Sequence, residues 1–201
     1  MTTLNILCVG DSLTAGSTAG MEHPYALKLR TRLQQAFPDH EIECQVEGKH
    51  GDQVTQGGFD ERLEAAWSVA DRPFDWAIIL GGSNDINWNK PADAIIAALK
   101  QVWEFPIAEG SRVLAMTIPE YRAKIQKIDD KRAAVNDAIR SYDHAAFSSL
   151  DLYKEFPYHT MSSADRSKYW DTDGVHFSAA GYDLMGDKIA DVLIPLIQSR
   201  S

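Results

Sequence analysis

Short, continuous apolar runs alternate along this chain with longer stretches of helical periodicity, and that alternation restricts the fold more than any other feature. The runs are Leu4–Val9, Ile42–Val46, Trp76–Leu80, Val113–Thr117 and Ala146–Leu150. Each is apolar or β-prone throughout rather than alternating, as expected of strands covered on both faces. Between them lie amphipathic stretches. Pro24 suits a first helical position, the stripe Tyr25, Leu29, Leu33 and Ala36 follows, and Pro38 stops it. Pro91 opens a second stretch carrying Ile95, Ile96, Leu99, Val102 and Trp103. A third carries Ile125, Ile128, Val135, Ile139 and Tyr142, and the last runs from Leu184 to Leu196. Gly57-Gly58 interrupts the segment from Gln53 to Ala70, so its helix is placed from Phe59 onward.

Strand and helix in strict alternation predict right-handed crossovers and a parallel sheet with helices on both faces. Five strands favour a flavodoxin-like order over a larger dinucleotide-binding sheet. The expectation is one doubly wound α/β domain over residues 1–201. In such sheets ligands bind beyond the carboxyl ends of the strands, near the point where strand order reverses. With 201 residues a single fold buries roughly 70% of the surface of its unfolded chain, so no staple is required. Two cysteines, Cys8 and Cys44, are too few for a disulfide framework or a cysteine-rich zinc site, and free thiols are the default. Twenty Lys and Arg against 29 Asp and Glu give a net charge of −9, which repels nucleic acid and anionic lipid. No run reaches the roughly 18 apolar residues of a membrane helix. The start, Met1-Thr2-Thr3, carries neither a basic nor an apolar leader. The expectation is a cytoplasmic protein, or a secreted one had a leader been removed.

Four places carry the residue types of chemistry, three of them just after strands. They are Gly10-Asp11-Ser12-Leu13, Gly48-Lys49-His50-Gly51-Asp52, Gly82-Ser83-Asn84-Asp85 and Asp173-Gly174-Val175-His176. Brought to one rim, they could form a nucleophilic site. A serine hydroxyl needs a base, which His176 would supply, and that imidazole needs its second nitrogen held, which Asp173 is near enough to do. The resulting oxyanion needs donors already aimed at it, and the backbone N–H groups of Ser12 and Gly51 with the side-chain amide of Asn84 could supply three. Asp11 and Asp85 read as structural, satisfying loop N–H groups.

Taken in order, these four blocks resemble those of the GDSL, or SGNH, hydrolase superfamily, and with the strand pattern they span nearly the whole chain. The resemblance implies a flavodoxin-like serine esterase with Ser12 as nucleophile and Asp173 and His176 completing the triad. It assigns Ser12, Gly51 and Asn84 to the oxyanion hole; Gly48, three residues earlier, is the other glycine of that block. Gly10 precedes Ser12, but Thr14 stands where a G-x-S-x-G elbow has its second glycine, which disfavours the larger α/β-hydrolase fold. The family includes lysophospholipases, thioesterases, arylesterases and carbohydrate acetylesterases. The expected activity is hydrolysis of a small or short-acyl ester through an acyl-enzyme, with no metal and no organic cofactor. Because His176 acts as a base, activity should rise with pH through neutrality.

Other features carry alternatives. The run Ser12-Leu13-Thr14-Ala15-Gly16-Ser17-Thr18 could also wrap a flavin phosphate at a helix N-terminus, an electron-carrier reading that leaves Asn84, Asp173 and His176 unused. Trp88, four residues after Asn84, and Trp170, in the approach to Asp173, are candidates for stacking on substrate. The basic cluster Arg122, Lys124, Lys127, Lys131 and Arg132 reads as a solvated helix face. His50 reads as an exposed loop histidine, and the remaining histidines have no metal-ligand spacing. The oligomeric state is not legible.

Overall fold

The computed structural model describes residues 2–199. Its centre is a five-stranded, wholly parallel sheet in the order β2-β1-β3-β4-β5. The strands are β1 Thr2–Gly10, β2 His40–Gly48, β3 Trp76–Leu80, β4 Arg112–Met116 and β5 Phe147–Leu150. The helices are α1 Ser12–Ala15, α2 Ala26–Ala36, α3 Gly58–Val69, α4 Ser83–Asn87, α5 Ala92–Ala108, α6 Gln126–Ser141, α7 Leu152–Glu155, α8 Ser163–Tyr169 and α9 Ala179–Gln198.

The apolar runs are buried for the reason their composition suggests. All five residues of β3 are buried, as are seven of the nine in β1. Successive side chains of β1 divide between two cores. Leu4, Ile6 and Cys8 meet α2 and α9 on one face, while Leu7 and Val9 meet α3, α5 and α6 on the other. Cys8 and Cys44 are free thiols on adjacent strands.

Register sets up the site. Gly10, at the end of β1, lies opposite Gly48 of β2 and Leu80 of β3. The three chains therefore leave the sheet side by side, and the order reverses at β1, between β2 and β3. Ser12, Gly51 and Asn84 follow these aligned ends by two, three and four residues. Among the described residues no helix is long and apolar enough to cross a membrane.

Candidate active site

Each chemical residue is held by its own local turn. Asp11 caps α1, its carboxylate accepting the Leu13 N–H at 2.9 Å, so Ser12 opens a single helical turn directly beyond the sheet. That turn ends at Gly16 in the left-handed conformation. Asp173 folds its own loop by accepting the N–H groups of Val175 at 2.8 Å and His176 at 2.9 Å. From outside, Arg122 donates its N–H to the carbonyl of Gly174 at 2.7 Å and its guanidinium to that of Thr172 at 3.0 Å. The Asp173–His176 loop is thus fixed to the chain leaving β4.

A continuous hydrogen-bonded relay results. The Asp173 carboxylate lies 2.6 Å from His176 Nδ1, and His176 Nε2 lies 2.8 Å from Ser12 Oγ. Burial pulls the Asp173 carboxyl upward. The hydrogen bonds from the His176 ring and from the two backbone N–H groups outweigh that and hold it below the usual carboxylate range. An ionised Asp173 requires the Nδ1 proton, which leaves Nε2 to accept from Ser12. This is the arrangement in which a serine hydroxyl can be deprotonated as it attacks.

Beside it stands a set of donors. Among the described residues, the backbone N–H groups of Ser12 and Gly51 have no acceptor. Asn84 Nδ2 donates to the carbonyl of Asp52 at 2.9 Å and lies 3.3 Å from Asp11 Oδ2. Gly51 has φ +73°, and a Cβ there would meet nothing within 4 Å. Glycine is used at this position for its backbone angle, in a loop open above. Gly48 differs: a Cβ on it would lie 2.2 Å from the backbone nitrogen of Ala15, so it is packed against α1. A crevice of about 30 Å³ opens next to Ser12, bounded by Leu13, Asn84, Asn87, Pro119, Tyr121 and Val175 among others. That is room for about one water molecule. Among the described residues no group of His, Cys, Asp and Glu could hold a metal ion.

The structure separates the two aromatic candidates. Trp88 is 71% exposed, and its N–H bonds the carbonyl of Asn84 one turn before it. Trp170, by contrast, is 4% exposed, with its ring edge-on to Phe156, Tyr158 and Phe177, so it presents little surface for stacking. An indole that reaches Phe156 and Phe177 gains more by joining the core than by facing water.

Further readings are resolved. Asp85 accepts the N–H groups of Val54 and Thr55, both at 3.0 Å, a structural role like that of Asp11. The hydroxyls of the Ser12–Thr18 run are engaged or buried within the protein. Ser12 is engaged with His176, Thr14 is buried, Ser17 Oγ meets His50, and Thr18 donates to the carbonyl of Met21. His50 is exposed and also meets Glu22. The basic cluster is not wholly solvated. Arg132 is 3% exposed, paired with Asp129 at 2.7 Å and lying over the Tyr121 ring at 4.4 Å. A planar guanidinium on an aromatic face can be buried at a cost an ammonium would not bear.

The sequence reading missed Arg62, Tyr121 and Asn87. The Tyr121 hydroxyl donates to Asn87 Oδ1 at 2.7 Å across the crevice. The signal available for Asn87 was its place one turn beyond Asn84.

Comparison with known proteins gives the family and the fold. The model of the GDSL-like Lipase/Acylhydrolase family matches residues 8–184. Comparison with curated protein sequences gave no match. Among solved structures, a family 3 carbohydrate esterase from Clostridium thermocellum superposes with a TM-score of 0.74 at 18% identity, covering 98% of both chains. A family 3 carbohydrate esterase from Talaromyces cellulolyticus gives 0.71 at 16% identity over 100% of both. A lipase/acylhydrolase from Enterococcus faecalis gives 0.69 at 21% identity, covering 97% of this chain and 96% of that one. At these identities the structural likeness speaks to the fold alone.

Proposed function

This chain belongs to the GDSL-like lipase/acylhydrolase family, a hydrolase acting on ester bonds, and from that premise we propose that it cleaves short-acyl carboxylic esters through an acyl-enzyme on Ser12. The observation that carries the reading is the unbroken relay from Asp173 through His176 to Ser12, at 2.6 and 2.8 Å. In the proposed cycle Ser12 Oγ attacks the ester carbonyl while His176 Nε2 takes its proton. The N–H groups of Ser12 and Gly51 receive the oxyanion, joined by the Asn84 hydrogen that the free site directs at Asp11 Oδ2, the longer of its two bonds. His176 then returns the proton to the departing alcohol. Water, activated by the same imidazole, releases the acid. Asp173 holds the ring and stabilises its charged form.

The narrowness of the crevice supports a short acyl group. Its volume of about 30 Å³ suits the methyl of an acetyl ester better than a long chain. Within that class, the exposed indole of Trp88 favours an alcohol with a flat apolar face, such as a sugar ring. A carbohydrate acetylesterase is therefore the second reading.

The test is hydrolysis of p-nitrophenyl esters of increasing acyl length. We expect acetate to be the best substrate, and Ser12→Ala to lose about 10⁴-fold or more. Trp88→Ala should lose activity on an acetylated oligosaccharide while keeping p-nitrophenyl acetate turnover. Equal activity of wild type and Ser12→Ala would overturn the mechanism.

A further inference from the structure

Arg62, on α3, touches none of the proposed reacting groups, yet its guanidinium sits where the chains carrying all three oxyanion donors meet. It donates to the carbonyl of Gly10, two residues before Ser12, at 3.1 Å, and to the carbonyl of Glu47 near the end of β2. It pairs with the Asp52 carboxylate at 2.6 Å. Asp52 directly follows Gly51, and its own carbonyl accepts the Asn84 amide at 2.9 Å. The guanidinium is also 5.0 Å from the ring centroid of buried Phe59, which restricts its plane.

We propose that Arg62 is the positioning residue of the oxyanion hole, fixing the 49–52 loop against the ends of β1 and β2 and, through Asp52, setting the amide of Asn84. Fold stability alone is a poor explanation for it. The Asp52 and Arg62 side chains are 7% and 16% exposed, and a buried pair returns in attraction about what desolvation costs. What the pair does provide is direction. Three acceptors in different directions need the planar fork of arginine, which a lysine ammonium cannot reproduce. It also provides charge balance. Asp11, Asp52 and Asp85 are all buried around Asn84, close to where negative charge develops. Arg62 neutralises the one bonded directly to Gly51, whereas Lys49 lies 3.8 Å from that carboxylate and is 58% exposed.

This inference rests on the esterase reading, so the experiment carries Ser12→Ala as a parallel control. Wild type, Arg62→Leu and Arg62→Lys are compared for kcat and KM on p-nitrophenyl acetate and for affinity toward an alkyl boronic acid, which becomes an anionic tetrahedral adduct on the serine. We expect Arg62→Leu to lose about 10²-fold in kcat with KM within about twofold. Boronate affinity should fall in proportion to kcat/KM. Arg62→Lys should recover only part, about tenfold below wild type, and it carries the test if Arg62→Leu does not fold. Folded variants within threefold of wild-type kcat, or a loss of kcat with unchanged boronate affinity, would overturn the positioning role while leaving the esterase intact. Wild-type activity that does not depend on Ser12 would overturn both.

Discussion

At the scale of single residues, the site is a set of carboxylates doing opposite things within a few ångströms. Asp173 is half exposed and held ionised by three donors. Asp11 is buried, and burial pushes its carboxyl from 3.8 to about 6, against the Leu13 N–H and the charge of His176. Folded, Asp11 keeps its proton to about pH 6; unfolded, it loses it near 3.8. Between those values the native state binds more protons, so its stability falls as pH rises. The interval corresponds to about 3 kcal/mol. Asp173 acts with the opposite sign, since its depressed value adds stability that is lost only as pH falls below the ordinary carboxylate range. In Asp11→Asn the slope due to Asp11 should vanish. The variant should gain on wild type by up to about 3 kcal/mol between pH 4 and pH 8, measured by urea unfolding. A difference independent of pH would mean that Asp11 is ionised in the native state throughout. The legibility of these residues follows from their chemistry. Ser12, Asn84, Asp173 and His176 stand in short blocks placed by strand ends, so composition and order exposed them. Arg62, Arg132 and Trp170 are defined by what packs over them from distant segments, and no local pattern records that.

At the scale of elements, the long apolar runs and long stripes were readable because each spans several periods. The short helices α1, α4, α7 and α8 were not, since four to seven residues make one or two turns and cannot display a 3.6-residue repeat. Local rules also gave way to packing inside long helices: Pro106 lies within α5 and Pro195 within α9, each near the C-terminal end. Glycine in α9 shows the same override and is testable. By propensity alone Gly186→Ala would stabilise a helix by about 1 kcal/mol. Here the new Cβ would lie 2.6 Å from the carbonyl oxygen of Tyr25 and 3.0 Å from the backbone nitrogen of Leu29. These are main-chain atoms of the turn that begins α2, and they cannot swing aside as a side chain would. The substitution should therefore force α2 and α9 apart and cost about 1–3 kcal/mol. Calorimetry should show this as a Tm lowered by roughly 2–4 °C per kcal/mol. Kinetics at 25 °C should be close to wild type, because the contact involves none of the proposed reacting groups. A raised Tm would show that the helices yield and that propensity decides.

At the scale of the molecule, charge should select among substrates that the site would otherwise treat alike. The chain carries a net −9, and the crevice is poor in compensation. Glu120 lines it, Asp85 is buried nearby, and Asp11 adds its charge above about pH 6. Arg62 is already committed to Asp52. A field of that sign, focused by low-dielectric walls, concentrates cations at the rim and depletes anions. It acts mainly on encounter, so it should appear in kcat/KM rather than kcat. Acetylcholine and its neutral carbon isostere offer the same acyl group and nearly the same shape. At pH 8 and about 10 mM ionic strength, where the screening length is about 30 Å, the cationic ester should be favoured severalfold in kcat/KM. At about 1 M, with screening near 3 Å, the two should converge. A preference that survives high salt would place the selectivity in direct contacts, with Trp88 as the first side chain to test. No preference at low salt would mean that the exposed cations Arg122 and Lys49 cancel the field where substrate enters.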